Sequence, residues 1–352
     1  MNHGQEPNQE PQLSGNFAAY GSGADLNMKI PQADILRVLE GVSVAMKSPD
    51  GELPLIQQWL TLDNSSSADL MVSEWLSRID SAGNESKPKH GHQPSDGHTR
   101  ARLVARLTVG VAFLRQKSRH DQSATPDDLD FTWRMVYDAL SNDKLPGPLC
   151  TAARSAQGFV AVALCSLVKD GKIEELFRLH AWLPDGQRGN KDFAIHSHQA
   201  WAQSWILAGE GRNRTFHVRS ATNPVFATHN KYALRWSDTK GKSNATTSYK
   251  IHQTFSIVDK TEEMARATLA RIDLHTKNMS YKISSASYHT STVEPEVMHA
   301  TLFFFDAQRG FTRDSNVLGP TQGDSFVQVR DTSSTNLITL ANDINTLRFG
   351  NI

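Results

Sequence analysis

The sequence predicts an α+β fold, with a helical N-terminal region leading into a C-terminal β-barrel. Three observations carry that prediction. From Pro31 to about residue 170 apolar side chains recur at the spacing of a buried helix face. Beyond Ile173 the texture changes to short alternating stretches separated by glycine, asparagine or proline. The chain has 352 residues, 38% of them hydrophobic, with 15 Phe and 7 Trp, which is enough apolar material for a sizeable core. Four segments follow: a loose tail over 1–30, a helical region over 31–172, a barrel over 173–320 and a closing helical segment over 321–352.

The tail, with Gly15, Gly21 and Gly23, has too little periodic apolar surface to offset its ordering entropy. Ile35, Leu36, Val38, Leu39 and Val42 define a first helix, and Leu70, Met71, Trp75 and Ile79 a second. The stretch Ser81–His98 is rich in breakers and reads as an exposed loop, with His90, His92 and His98 solvated. Leu103, Leu107, Val111 and Leu114 form one face of a third helix. Its other face carries Arg102, Arg106, Arg115 and Lys117, read as a solvent-facing stripe. Thr125-Pro126-Asp127-Asp128 is a helix start: a capping hydroxyl, a proline where no amide is needed, and carboxylates at the positive end of the dipole. The apolar run Leu149–Val168 reads as a buried helix. It would hold Cys150 and Cys165 about 22 Å apart, too far for a disulfide.

Strands are expected over Phe193–Ser197, Ser204–Ala208, Thr215–Arg219, Tyr232–Trp236, Tyr249–Ile257, Tyr281–Ser285 and Thr301–Asp306. A helical insertion is expected over Lys260–Arg271, and a closing helix from Leu337, Leu340, Ile344 and Leu347.

Charge excludes some functions. Lys+Arg and Asp+Glu both number 37, so no net field draws the chain to nucleic acid or a membrane surface. No apolar run is long enough to span a bilayer, and Met1–Gly15 is polar rather than signal-like. With two cysteines, the expectation is a soluble protein of a reducing compartment, the cytoplasm. The phosphate-binding loop, the dinucleotide glycine motif, paired Cys-x-x-Cys and the serine-hydrolase elbow are all missing from the sequence.

The chemistry concentrates between Gly189 and Gly211. Residues two apart on a strand share a face, so His196 and His198 would project both imidazoles into one cavity. Neutral imidazole suits iron, zinc, copper or nickel, and such a pair needs a third ligand from elsewhere. His289, near the end of a later strand, is the best candidate, with His299 as the alternative. His217, His229, His252 and His275 read as packing or solvent-facing residues.

Together these stretches resemble the cupin superfamily. Its first motif runs from a glycine through His-x-His to an acidic residue and a glycine turn. Here Gly189 stands one residue early with Asn190 in the expected place, His196 and His198 supply the pair, Gln203 takes the acidic position, and Gly209 or Gly211 makes the turn. Of the second motif, His289 is kept in frame while Ser284 and Ala286 replace proline and glycine. With glutamine in the acidic position, the set is similar to that of the three-histidine thiol dioxygenases, the cysteine dioxygenase-like branch.

The resemblance implies a double-stranded β-helix barrel in which His196, His198 and His289 hold Fe(2+), with Zn, Mn or Ni as alternatives. It further implies that Gln203 orients a bound oxygen or water and that Arg178 grips a substrate carboxylate. The pocket walls would be Trp201, Trp205, Thr301, Phe303 and Phe305. That branch's Ser-His-Tyr relay has no counterpart, since the strand 301–305 offers only Thr301 beside Phe303 and Phe305, which favours a substrate larger and more apolar than cysteine. The implied activity is a non-haem iron dioxygenase that takes a small molecule, a thiol or carboxylate, together with dioxygen. Pairing through edge strands would make a homodimer. Two other readings of the same residues stand beside it: a metal-dependent lyase or isomerase, and a ligand-binding module without catalysis.

Overall fold

The computed structural model describes residues 23–46, 52–62, 69–85, 96–142, 149–170, 172–238, 245–246, 255–329 and 335–350. Residues 1–22 of the expected 1–30 tail, the His90–His92 part of the expected loop and the start of the 249–257 strand, with His252, lie outside them. The rest of the tail is not loose, since Ile30 is fully buried in the core with Leu26 and Met28 packed against it.

The chain opens with β1 (Lys29–Pro31) and α1 (Gln32–Met46), followed by α2 (Glu52–Leu60), β2 (Asp69–Met71), α3 (Val72–Glu85), α4 (Asp96–Arg119) and α5 (Pro126–Ser141). β1 and β2 pair antiparallel and bind the starts of α1 and α3 together. α5 begins as its sequence dictates. Thr125 Oγ1 accepts from the Asp128 amide at 3.2 Å and Asp128 Oδ2 accepts from the Thr125 amide at 2.8 Å, a reciprocal capping box. His98 lies on α4 rather than in a loop.

Two antiparallel sheets make up the rest. β3 (Ala152–Arg154), β4 (Val160–Lys169), β5 (Lys172–Trp182), β6 (Ala200–Ala208), β7 (Glu210–Ser220), β8 (His229–Ser237), β9 (Phe255–Thr276), β10 (Ser280–Ile283), β11 (Tyr288–Thr292), β12 (His299–Phe311), β13 (Asn316–Gly319) and β14 (Phe326–Val329) precede the closing helix α6 (Leu337–Phe349). The first sheet runs β10-β6-β12-β5-β4-β3 and the second β11-β7-β9-β8-β13, with β14 added along β9.

One apolar core joins the helices to the first sheet. Ile35, Val38 and Val42 of α1 belong to the same buried cluster as Leu164, Phe177 and Phe304 of the strands. Contact there is close: a Cβ on Gly41 would stand 2.5 Å from Cys165 Sγ, so only glycine lets α1 lie against β4 at that point. A smaller cluster of Tyr232, Val258 and Val317 lines the second sheet.

Three expectations are corrected. Residues 149–168 hold β3 and β4 rather than a helix, because a strand buried on both faces has the same continuous apolar texture as a buried helix. Cys165 therefore sits on a strand, and both thiols are free and buried, with desolvation pushing that of Cys150 up to about 12. Lys260–Arg271 is part of the 22-residue strand β9. Its helix-forming composition is overridden by ladders with β7 on one side and β8 on the other. The basic stripe of α4 does not face solvent. Arg115 is 2% exposed and bridges Glu175 at 2.6 Å and Asp34 at 2.8 Å, Lys117 pairs with Asp128 at 2.9 Å, and Arg106 with Asp80 at 3.0 Å. These cations tie α4 to its neighbours.

The expected strand-to-strand barrel is also revised. Among the described residues neither sheet closes by a ladder; instead the two edges of the second sheet, β11 and β13, both reach His196, which bridges His289 and Val317. The segment carrying the His-x-His pair thus fills the gap between two edge strands.

Candidate metal centre and its cavity

Local structure explains how the first two imidazoles are delivered. Asn190 caps a short 3-10 turn over Lys191–Phe193 by accepting from the Asp192 amide at 3.0 Å, and the chain then extends between β11 and β13. The His196 amide donates to His289 O at 3.0 Å and the His289 amide returns a bond to His196 O at 2.9 Å; the Ser197 amide donates to Asn316 O at 2.8 Å. Upstream, Gly189 passes so close to Ala156 that a Cβ would lie 2.3 Å from its carbonyl oxygen. The guanidinium of Arg188 donates to the carbonyls of Leu183 (2.9 Å), Val293 (3.0 Å), Pro295 (3.0 Å) and Val297 (3.2 Å), stitching the 183–198 segment to the chain that follows β11.

His196, His198 and His289 come together, their nearest ligand atoms all within 4.8 Å of one another. His198 Nε2 is 3.2 Å from His196 Nε2 and 3.3 Å from His289 Nε2. The Nδ1 atoms of the outer two are held elsewhere, His196 to Ala194 O at 2.9 Å and His289 to Asn213 Oδ1 at 2.8 Å. Both partners are oxygens that accept a proton, so both Nε2 atoms carry lone pairs aimed at His198. A proton on His198 Nε2 could satisfy one of them; a cation satisfies all three. Imidazole nitrogens about 2.0–2.1 Å from a shared ion and about 90–110° apart stand about 3.0–3.4 Å from each other, which the two observed separations match. The residues present therefore fit a metal ion.

Electrostatics agree with ligation. Burial lowers the proton affinity of His196, and burial with the neighbouring His196 and Arg178 charges takes His198 well below the usual histidine range. His289 is lowered likewise by burial and its two partners. Neutral imidazole is the form that binds a metal.

The centre opens on a cavity of about 420 Å³ between the two sheets. Arg178 and Phe305 line it from the first sheet, and Leu234, Trp236, Val258 and Val317 from the second. Phe305 stands edge-on to His198 with ring centroids 5.0 Å apart, and Phe303 at 5.8 Å.

No family model matches the chain, and no curated protein matches it. Among solved structures, a crystal structure of Fe(II)-HppE with the alternative substrate (S)-1-HPP is similar at a TM-score of 0.23 and 11% identity, over 79% of this chain and 100% of that one. A crystal structure of FeII HppE is similar at a TM-score of 0.21 and 13% identity, over 66% and 96%. At such scores the likeness carries no conclusion about this chain.

The other expected site residues divide by strand face. Arg178 lies on β5 opposite Phe303 of β12, on the cavity side. Thr301 is two residues from Phe303 and buried, in register with His180. Gln203, Trp201 and Trp205 occupy the other face of β6. Gln203 Oε1 accepts from Ser118 Oγ of α4 at 2.7 Å, Trp201 carries the Arg309 guanidinium 3.9 Å above its ring, and Trp205 stacks on Phe177 at 5.9 Å. These three belong to the seam between sheet and helices, because they stand an odd number of positions along the strand from the cavity-lining Ala200 and from Ala202, which packs with Phe303. His299 is buried beside Trp182, at 5.2 Å between centroids, and is absent from the imidazole cluster. His275 stacks on Tyr281 at 4.2 Å.

Sequence reasoning passed over Asn213 and His180. Asn213 on β7 orients His289. His180, two residues from Arg178, is sandwiched between Phe159 at 4.1 Å and Phe303 at 4.6 Å. The period of two that pairs Arg178 with His180 was the available signal for the latter. Asn213 leaves no such mark, since its role depends on a ladder between strands distant in sequence.

Proposed function

We propose that this chain is a mononuclear non-haem metal enzyme, Fe(2+) being the favoured ion, that oxidises a small organic carboxylate with dioxygen in a cupin-like site. The observation that carries the reading is the convergence of three Nε2 atoms whose outer members are locked as lone-pair donors by Ala194 O and Asn213 Oδ1. Ferrous iron bound by three neutral imidazoles supplies redox chemistry and open coordination positions.

The rest is the work of the chain. The backbone exchange between residues 196 and 289 fixes the separation of the two ligand segments, and the Nδ1 partners fix ring orientation, a contribution that typically amounts to about 10–100-fold in affinity or activity. Among the described residues no carboxylate joins the three imidazoles, so a divalent ion bound there would keep its charge and favour an anionic substrate. Arg178 is the cationic side chain among the described residues of the cavity lining, and its planar fork suits it to orient that anion. Phe303 and Phe305 keep water from the face of His198.

Elemental analysis of protein purified without chelator tests the metal. One equivalent of transition metal, lost in His198→Ala, is expected; an ion-free native chain overturns the reading. Dioxygen uptake by the iron-loaded chain tests the reaction class, and turnover that proceeds equally without oxygen would replace the oxygenase by a Lewis-acid lyase or isomerase.

A further inference from the structure

The cavity that His196 and His198 line is also bounded by the second sheet. Its wall there is formed by Leu234, Trp236, Val258, Val317 and Phe326, and Arg178 is the single charged residue in its lining among the described residues. A volume of about 420 Å³ falls in the range of drug-sized ligands, about 300–1,000 Å³, and exceeds what an amino-acid-sized molecule fills. The apolar wall is rigidly backed: Tyr232, Val258 and Val317 form their own buried cluster, with Phe193 packed edge-on to Tyr232 at 5.1 Å and to Phe326 at 4.9 Å. A lobe walled by packed aromatics and aliphatics, with Arg178 in the same lining, complements an amphiphile bearing a negative group.

We infer that the ligand of this cavity is an amphiphilic monocarboxylate whose head meets Arg178 beside the imidazoles and whose extended aliphatic or aryl body lies along Leu234, Trp236 and Val258. The inference deepens the proposed function and rests on its placement of a carboxylate at Arg178. Polar anions of amino-acid size leave the lobe unfilled and bind weakly. Each methylene entering the lobe adds affinity of about fourfold, the equivalent of about 0.8 kcal/mol, until the lobe is full.

Calorimetric titration of the full chain with n-alkanoates from butanoate to decanoate, and with 4-phenylbutanoate, tests this. Affinity is expected to climb with chain length, and Leu234→Trp to abolish the gain for the longer members while leaving butanoate unchanged. A flat series, no binding up to decanoate, or an equal loss for short and long members in Leu234→Trp overturns it. Because that variant stands in a half-buried position, the series on the native chain is decisive even where it folds poorly. n-Alcohols of matched length separate the two parts: binding as tight as the acids overturns the carboxylate head. Metal content measured on the same samples separates both from the metal reading, since an ion-free chain that still shows the chain-length dependence refutes the enzyme and leaves the lobe's specificity standing.

Discussion

His196 and His289, 93 positions apart, exchange a reciprocal pair of backbone hydrogen bonds of 3.0 and 2.9 Å. The bridge does more than join two segments. It sets the relative height of the two imidazoles before any ion is present, and the rings stand with centroids 4.5 Å apart as a result.

Asn213 is the test of how the third imidazole is held. Asn213→Leu removes the acceptor of the His289 Nδ1 proton, so metal affinity should fall by about 10–100-fold while the circular dichroism spectrum stays native. Asn213→Asp keeps an acceptor and should retain binding. Competitive chelator titration reads both.

Glu175 tests the buried charge network between the helices and the first sheet. It receives Arg115 through both oxygens, at 2.6 and 3.0 Å, and Arg119 at 2.8 Å. Glu175→Ala leaves Arg115 buried without that partner, at an expected cost of about 3–5 kcal/mol in urea unfolding. The double variant Arg115→Met/Glu175→Leu should recover much of the loss, since well-packed apolar pairs often match such bridges.

His299 gives a pH dependence with a definite sign. Burial is the main cause that lowers it to about 4, from the ordinary 6.5, against weaker opposition from its contacts with the Ala208 and Gly209 backbone. Between those limits the unfolded chain takes up a proton that the folded chain refuses. Stability is therefore fully present above pH 6.5 and declines as pH falls toward 4, by about 3 kcal/mol from this residue at 1.36 kcal/mol per pH unit. Urea midpoints at pH 7 and pH 5 should differ less in His299→Leu than in the native chain.

Gly189 tests the close passage that launches the ligand segment. Gly189→Ala places a methyl 2.3 Å from Ala156 O and must displace backbone, with an expected loss of about 1–3 kcal/mol. Because the displaced segment leads directly to His196, metal affinity should fall in the same variant.

The sequence was most legible where structure is local. The capping box of Thr125 and Asp128 is a four-residue affair and reads off directly, as does the shared face of two residues spaced by one. His289 was reachable because its order along the chain followed a known pattern. What stayed hidden depended on partners distant in sequence. Nothing within 260–271 reveals that β7 and β8 will flank it, and Arg115 looks solvent-facing until Asp34 and Glu175 arrive from 81 and 60 residues away. Gln203, Trp201 and Trp205 were misassigned for a related reason: motif position identifies a strand, but its packed helix decides which face is the cavity.

The placing of His196 between β11 and β13 also fixes when the site can exist. Its flanking bonds go to residues 289, 316 and 318, so a nascent chain cannot bring the three imidazoles together until β13 has been made. Strand pairings of such range form slowly, after local helices have collapsed. On the proposed reading, ion capture is thus confined to the stage after β13 has paired, and a chain stalled before residue 316 would have no place to seat a metal.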